Sequence, residues 1–106
     1  MKELKILIKA DNSLISRFSM QVEHGMVVSI TETTEQLVTP SKYWNKFMAA
    51  FRETCQTFVR NDIQDILDWS DWYTTSFNRN NKLFVHLYIY EGEIPTFYGN
   101  FNAYYK

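Results

Sequence analysis

The chain has 106 residues, a length that fits one domain and leaves no room for two separate cores. Its single cysteine excludes an intrachain disulfide. Its formal net charge of −1 excludes both the bulk attraction of a basic protein for nucleic acid and the strongly negative field of a whole-surface DNA mimic. A chain of this size buries well over half of the surface its unfolded form exposes, so neither a disulfide nor a metal is needed for folding.

The N-terminal stretch MKELKILIKADN has a short apolar run interrupted by Lys5 and Lys9. It reads as neither a signal peptide nor a membrane span, and the expected location is the cytoplasm. Leu4, Ile6 and Ile8 alternate with Lys5, Leu7 and Lys9 in the period-two pattern of a half-buried strand, and Asp11-Asn12-Ser13 follows as a turn. Phe18, Met20 and Val22 alternate with Ser19, Gln21 and Glu23, after which His24-Gly25 turns the chain into a third strand over residues 26–31. These two strands form a tight hairpin.

Thr39-Pro40 predicts a helix start, with Thr as the cap and Pro at the first position, where its missing N–H costs nothing. Trp44, Phe47, Met48, Phe51, Cys55, Phe58 and Val59 recur at helical spacing and form one apolar stripe. On that stripe Cys55 reads as a small buried hydrophobe rather than a reactive thiol. Asn61-Asp62 marks a break: one uninterrupted helix over residues 40–73 would carry Asp62 to the centre of the stripe, a costly place for an unpaired carboxylate. A kink, or a second helix from Asp62 to about Tyr73, is therefore expected.

Residues 74–81 are polar and read as a loop. Residues 82–90 are strongly strand-like, Glu91-Gly92-Glu93 turns the chain back, and Ile94-Pro95 leads into a last strand over about residues 97–105. The order βββααββ predicts an α+β fold in a single domain: an antiparallel β-sheet with one long kinked helix or two consecutive helices packed on one face.

Motifs for catalysis are missing. His24 and His86 are the only histidines and lie far apart in sequence, and one cysteine cannot build a thiolate site, so no metal is expected. His24 at a hairpin tip reads as solvated, and His86 on an aromatic strand as a packing residue. Gly25, Gly92 and Gly99 are isolated and cannot form a phosphate cradle, and no nucleophile–base pattern is visible. No catalytic residue and no cofactor is predicted, and the expectation is a protein that is not an enzyme.

Two features remain as candidate binding surfaces. Residues 39–60 carry four Lys or Arg and one Glu, whereas residues 61–73 carry four Asp and no base. Those carboxylates, Asp62, Asp65, Asp68 and Asp71, are interleaved with Trp69 and Trp72. With Ile63, Ile66 and Leu67 on the buried side of the second helix, the four Asp and both Trp fan out over the remaining arc. The carboxylates would steer a basic partner and the indoles would anchor in a desolvated pocket. The structural alternative has the acids favouring the helix dipole or facing solvent, with the Trp under the sheet edge.

The second feature is the C-terminal hairpin. Leu83, Val85, Leu87 and Ile89 form one strand face, which leaves Phe84, His86, Tyr88 and Tyr90 on the other, and Tyr98 and Tyr104 share that second face with Asn100 and Asn102 between them. A Tyr/Asn surface offers stiff, amphipathic contact area. Alternatively it is covered by the N-terminal strands or by a second copy; a homodimer through this face satisfies both readings.

These features together describe a small inhibitor or regulator that occupies a protein partner stoichiometrically. Phage-encoded anti-defence proteins such as anti-CRISPRs, acting in the bacterial host cell, and toxin-immunity proteins have this profile. It is a resemblance of type, carried by no family-specific motif. The expected partner is a nuclease or another nucleic-acid-binding protein with a basic groove. The alternatives are a single-stranded nucleic-acid-binding module that stacks bases on Phe84, Tyr88 and Tyr90, and a homo-oligomeric structural subunit. The hairpin's few cations, Arg79, Lys82 and Lys106, are nearly balanced by Glu91 and Glu93, which argues against nucleic acid.

Overall fold

A computed structural model describes residues 2–10, 14–36, 42–81 and 85–91. Three strands open the chain, β1 (Lys2–Ala10), β2 (Leu14–Glu23) and β3 (Met26–Gln36); α1 (Lys42–Thr57) and α2 (Ile63–Asn81) follow, and then β4 (Val85–Tyr90). The sheet order is β3-β2-β1-β4 with every pair antiparallel, so β4 returns to lie beside β1. This is the α+β arrangement the sequence predicts, in the order βββααβ. The turn at Asp11-Asn12-Ser13, the helix start at Thr39-Pro40 and the last strand over residues 97–105 lie outside the described residues.

The alternation in β1 decides which sheet face meets the helices. Leu4, Ile6 and Ile8 share a face with Phe18, Met20, Leu87 and Ile89, and this face packs on Trp44, Phe47, Phe51 and Cys55 of α1 and Ile66 and Phe77 of α2. Aromatic rings carry much of the contact: Phe51 meets Phe18 edge-on at 5.4 Å and lies parallel to Phe47 at 5.9 Å. Cys55 is wholly buried, and that burial pushes its thiol up to about 12, so it stays protonated and unreactive at neutral pH.

The β2–β3 hairpin turns through His24 (φ 53°) and Gly25 (φ 77°), the pair of left-handed residues that matches the twist of the flanking strands. β3 extends beyond the predicted end at Thr31 and carries two bulges, where the β2 register skips Val28 and Thr33. Such bulges blunt an outer strand against edge-to-edge pairing.

The break at Asn61-Asp62 is built against this hairpin. Val27 N donates to Asn61 O (2.9 Å), Arg60 N to Val27 O (2.6 Å) and Ile63 N to Gly25 O (2.8 Å). Arg60 takes the left-handed conformation there, with φ 77°. Asp62 then caps α2, its Oδ1 accepting from Gln64 N at 2.8 Å. The carboxylate that would have been buried on a continuous helix is thus exposed and hydrogen-bonded.

Two sequence expectations are corrected. Residues 74–81 are not a loop but the second half of α2, because Thr74 and Phe77 continue the buried stripe of Ile66 and Ser70 and no Gly or Pro interrupts the helix. His86 is exposed on β4, opposite Lys9 of β1, rather than buried by packing, although Tyr88 and Tyr90 on the same sheet face are buried.

A polar clamp joins the sheet to α1. Arg52 donates from Nε to Glu32 Oε1 (2.9 Å) and from an Nη to Oε2 (3.0 Å), and Ser16 Oγ donates to the same Oε2 (2.7 Å). Burial pushes the Glu32 carboxyl up, but the hydrogen bonds from Arg52 and Ser16 and the guanidinium charge outweigh it and hold the group below its ordinary range. Among the described residues no helix is long and apolar enough to cross a membrane.

Candidate interaction face

The two helices are antiparallel: Phe58 and Phe51 both meet Trp69 (5.7 and 5.5 Å), Phe47 meets Tyr73 (4.9 Å), and Phe47 also meets Phe77 (5.1 Å). The N-terminal end of α1 therefore lies beside the C-terminal end of α2. Because both apolar stripes face the sheet, the residues opposite them form one outward face of the helical layer.

On α2 that outward stripe is Asp65, Asp68, Trp72, Thr75 and Arg79, all exposed. Trp72 sits at its centre with 64% of its surface accessible, the most open large apolar side chain among the described residues. Asp71 flanks it, half-buried, and Asp68 Oδ1 accepts a hydrogen bond from Gln64 Nε2 at 2.9 Å. The Lys/Arg–carboxylate ion pairs among the described residues are Lys2–Glu91 and Glu32–Arg52, neither of them on α2. The field of Asp65, Asp68 and Asp71 is therefore not cancelled by a contacting cation.

The predicted acidic segment thus separates by role. Asp65, Asp68 and Trp72 share the outward stripe with Asp71 beside them, whereas Asp62 belongs to the helix cap. Trp69 leaves the arc predicted for it: its ring lies flat on Tyr73 at 5.0 Å and reaches Phe51 and Phe58, because the break turns this side of α2 toward α1. Tyr73 completes the junction by donating its hydroxyl to Phe47 O at 3.2 Å, and burial pushes its phenol up.

Tyr88 and Tyr90 project from the sheet face opposite the helices, as the alternation of β4 predicts. They are 1% and 5% exposed within one copy of the chain, in a second apolar cluster with Leu7 and half-buried Ile15. Burial pushes the Tyr90 phenol up, partly offset by the charge of Arg17. Tyr98 and Tyr104 lie outside the described residues.

Exposed residues that sequence patterning did not single out include Tyr43 at 44% on the first turn of α1, and Met26 and Val28 on β3. Tyr43 was legible as the aromatic just off the 44/47/48/51/55 stripe. Val28 was not, since its exposure follows from a bulge. Among the described residues no group of three or more His, Cys, Asp or Glu side chains is placed to hold a metal ion. No protein-family model, curated protein or solved structure matches this chain.

Proposed function

We propose that the chain is a non-catalytic protein-binding inhibitor or regulator that acts stoichiometrically through the outward face of α2. The observation that carries this reading is Trp72, an indole left 64% exposed on the outward stripe of α2 at the edge of the Asp65, Asp68 and Asp71 carboxylates. Exposing a ring of that size on a rigid helix forgoes about 2 kcal/mol or more of burial, which a partner pocket would recover. Asp65, Asp68 and Asp71 supply the steering field, so the fitting partner is a protein with a basic groove, such as a nuclease or another nucleic-acid-binding protein. Anti-defence proteins of the anti-CRISPR type and toxin-immunity proteins are the class in which we place it.

Against the nucleic-acid alternative stand Tyr88 and Tyr90, whose rings at 1% and 5% exposure leave little face for a base to stack on; Phe84 lies outside the described residues. The test is an affinity purification from the native host, followed by reconstitution of each co-purifying protein with the purified chain. A partner that forms a complex of fixed stoichiometry and is lost when Asp65, Asp68 and Asp71 are all changed to Lys supports the reading. Unchanged binding of every partner by the charge-reversed protein rejects it.

A further inference from the structure

The outward face of the helical layer is electrically polarised along its length. At the end formed by the start of α1 and the end of α2 lie exposed Lys42, Lys46 and Arg79, with no carboxylate among the described residues there. At the opposite end lie exposed Glu53, Asp65 and Asp68, with Asp62 and Arg60 exposed at the corner beyond them, and Arg52 is turned to the sheet by Glu32. Between the two poles stands exposed Trp72, with exposed Tyr43 beside the lysines of the basic end.

We infer that this face pairs with the same face of a second copy in a two-fold symmetric dimer. A two-fold axis lying in the plane of the face, at right angles to the line joining the poles, turns a second copy face to face with the first, lays the basic pole of each over the acidic pole of the other, and brings the two Trp72 regions together. A two-fold axis along the line joining the poles would set like charges against each other, so the charge pattern selects the antiparallel arrangement. The helices have 16 and 19 residues, roughly 24 and 28 Å in length, and side by side they are roughly 20 Å wide. The face thus offers on the order of 500 Å² per copy, so the dimer lies at the small end of stable interfaces and its population follows concentration and salt.

The same pairing covers Trp72 and Asp65, which makes the dimer a closed form that must open before a partner binds; this consequence alone rests on the function proposed above. The pairing itself is tested on the purified chain without any partner, so the two readings fail separately.

Sedimentation velocity over a wide concentration range should show reversible dimerisation that weakens with added salt. Trp72→Ala should weaken it by about thirtyfold or more. The deciding experiment uses two charge-reversed proteins, Asp65→Lys with Asp68→Lys, and Lys42→Glu with Lys46→Glu. Each should be monomeric alone, and the two mixed should form a one-to-one heterodimer, which also shows that both are folded. The inference is overturned if the unmodified chain stays monomeric at every concentration. It is equally overturned if either reversed protein dimerises as the parent does, or if the mixture yields no heterodimer while both proteins retain the parent's circular dichroism.

Discussion

Trp69 and Trp72 stand one helical turn apart on α2, yet their surroundings differ in kind. Trp69 stacks on Tyr73 with an interplanar angle of 6° and touches Phe51 and Phe58, whereas Trp72 is 64% exposed beside Asp68 and Asp71. The difference comes from the helix break at Asn61-Asp62, which fixes the rotation of α2 by docking the corner on the β2–β3 hairpin. One side of α2 then belongs to the fold and the other faces outward, where the proposed function puts recognition. Aromatic residues in a small domain therefore divide by the rotation of their helix rather than by residue type.

The sharpest way to break this division is to truncate the inner side. Phe51→Ala removes a ring wholly buried between β2, α1 and α2 and should cost about 3–5 kcal/mol in denaturant unfolding. Trp69→Ala, which is only half-buried, should cost less but still far more than Trp72→Ala. If Trp69 and Trp72 proved equally dispensable, the inner and outer assignments would be mistaken.

Next in size is the clamp between the sheet and α1. Arg52→Ala should cost about 1–2 kcal/mol, a value discounted because the Arg52 and Glu32 side chains remain 36% and 27% exposed. Its pH dependence has a definite sign. The folded-state value of Glu32 is depressed, so its contribution is present above the ordinary value of 4.5 and is lost as the pH falls through the lower folded-state value. The stability gap between the parent and Arg52→Ala should therefore close on acidification, and a gap that widened would contradict the assignment.

A smaller effect sharpens the position of Asp62. As a cap it should cost about 1 kcal/mol on change to Ala, while Asp62→Asn or Asp62→Ser, which also cap, should restore most of the stability. A loss of partner binding with stability intact would move Asp62 from the corner to the interaction face.

Much of the sheet and of α1 was legible in the sequence because both announce themselves locally. Leu4, Ile6 and Ile8 alternate, the stripe of Trp44, Phe47, Phe51 and Cys55 has helical spacing, and the burial cost of Asp62 places the break. The second half of α2 was hidden because Ser70 and Thr74 are polar residues buried by tertiary packing, and their neighbours through Asn81 carry loop-like composition. The bulges at Val28 and Thr33 and the backbone bonds from Gly25 and Val27 to the helix corner involve no side-chain signal at all. Of the candidate residues, Asp65, Asp68, Asp71 and Trp72 were readable as one patch. The separation of Trp69 from Trp72 was not, since it depends on where the corner docks.

The division of α2 is tested most directly by pairing two readings on Trp72→Ala, its unfolding free energy and its retention of partner proteins from the native host. The expected result is stability within about 0.5 kcal/mol of the parent together with loss of at least one partner that the parent binds at fixed stoichiometry. A variant that retains every partner, or that loses several kcal/mol of stability, would contradict it.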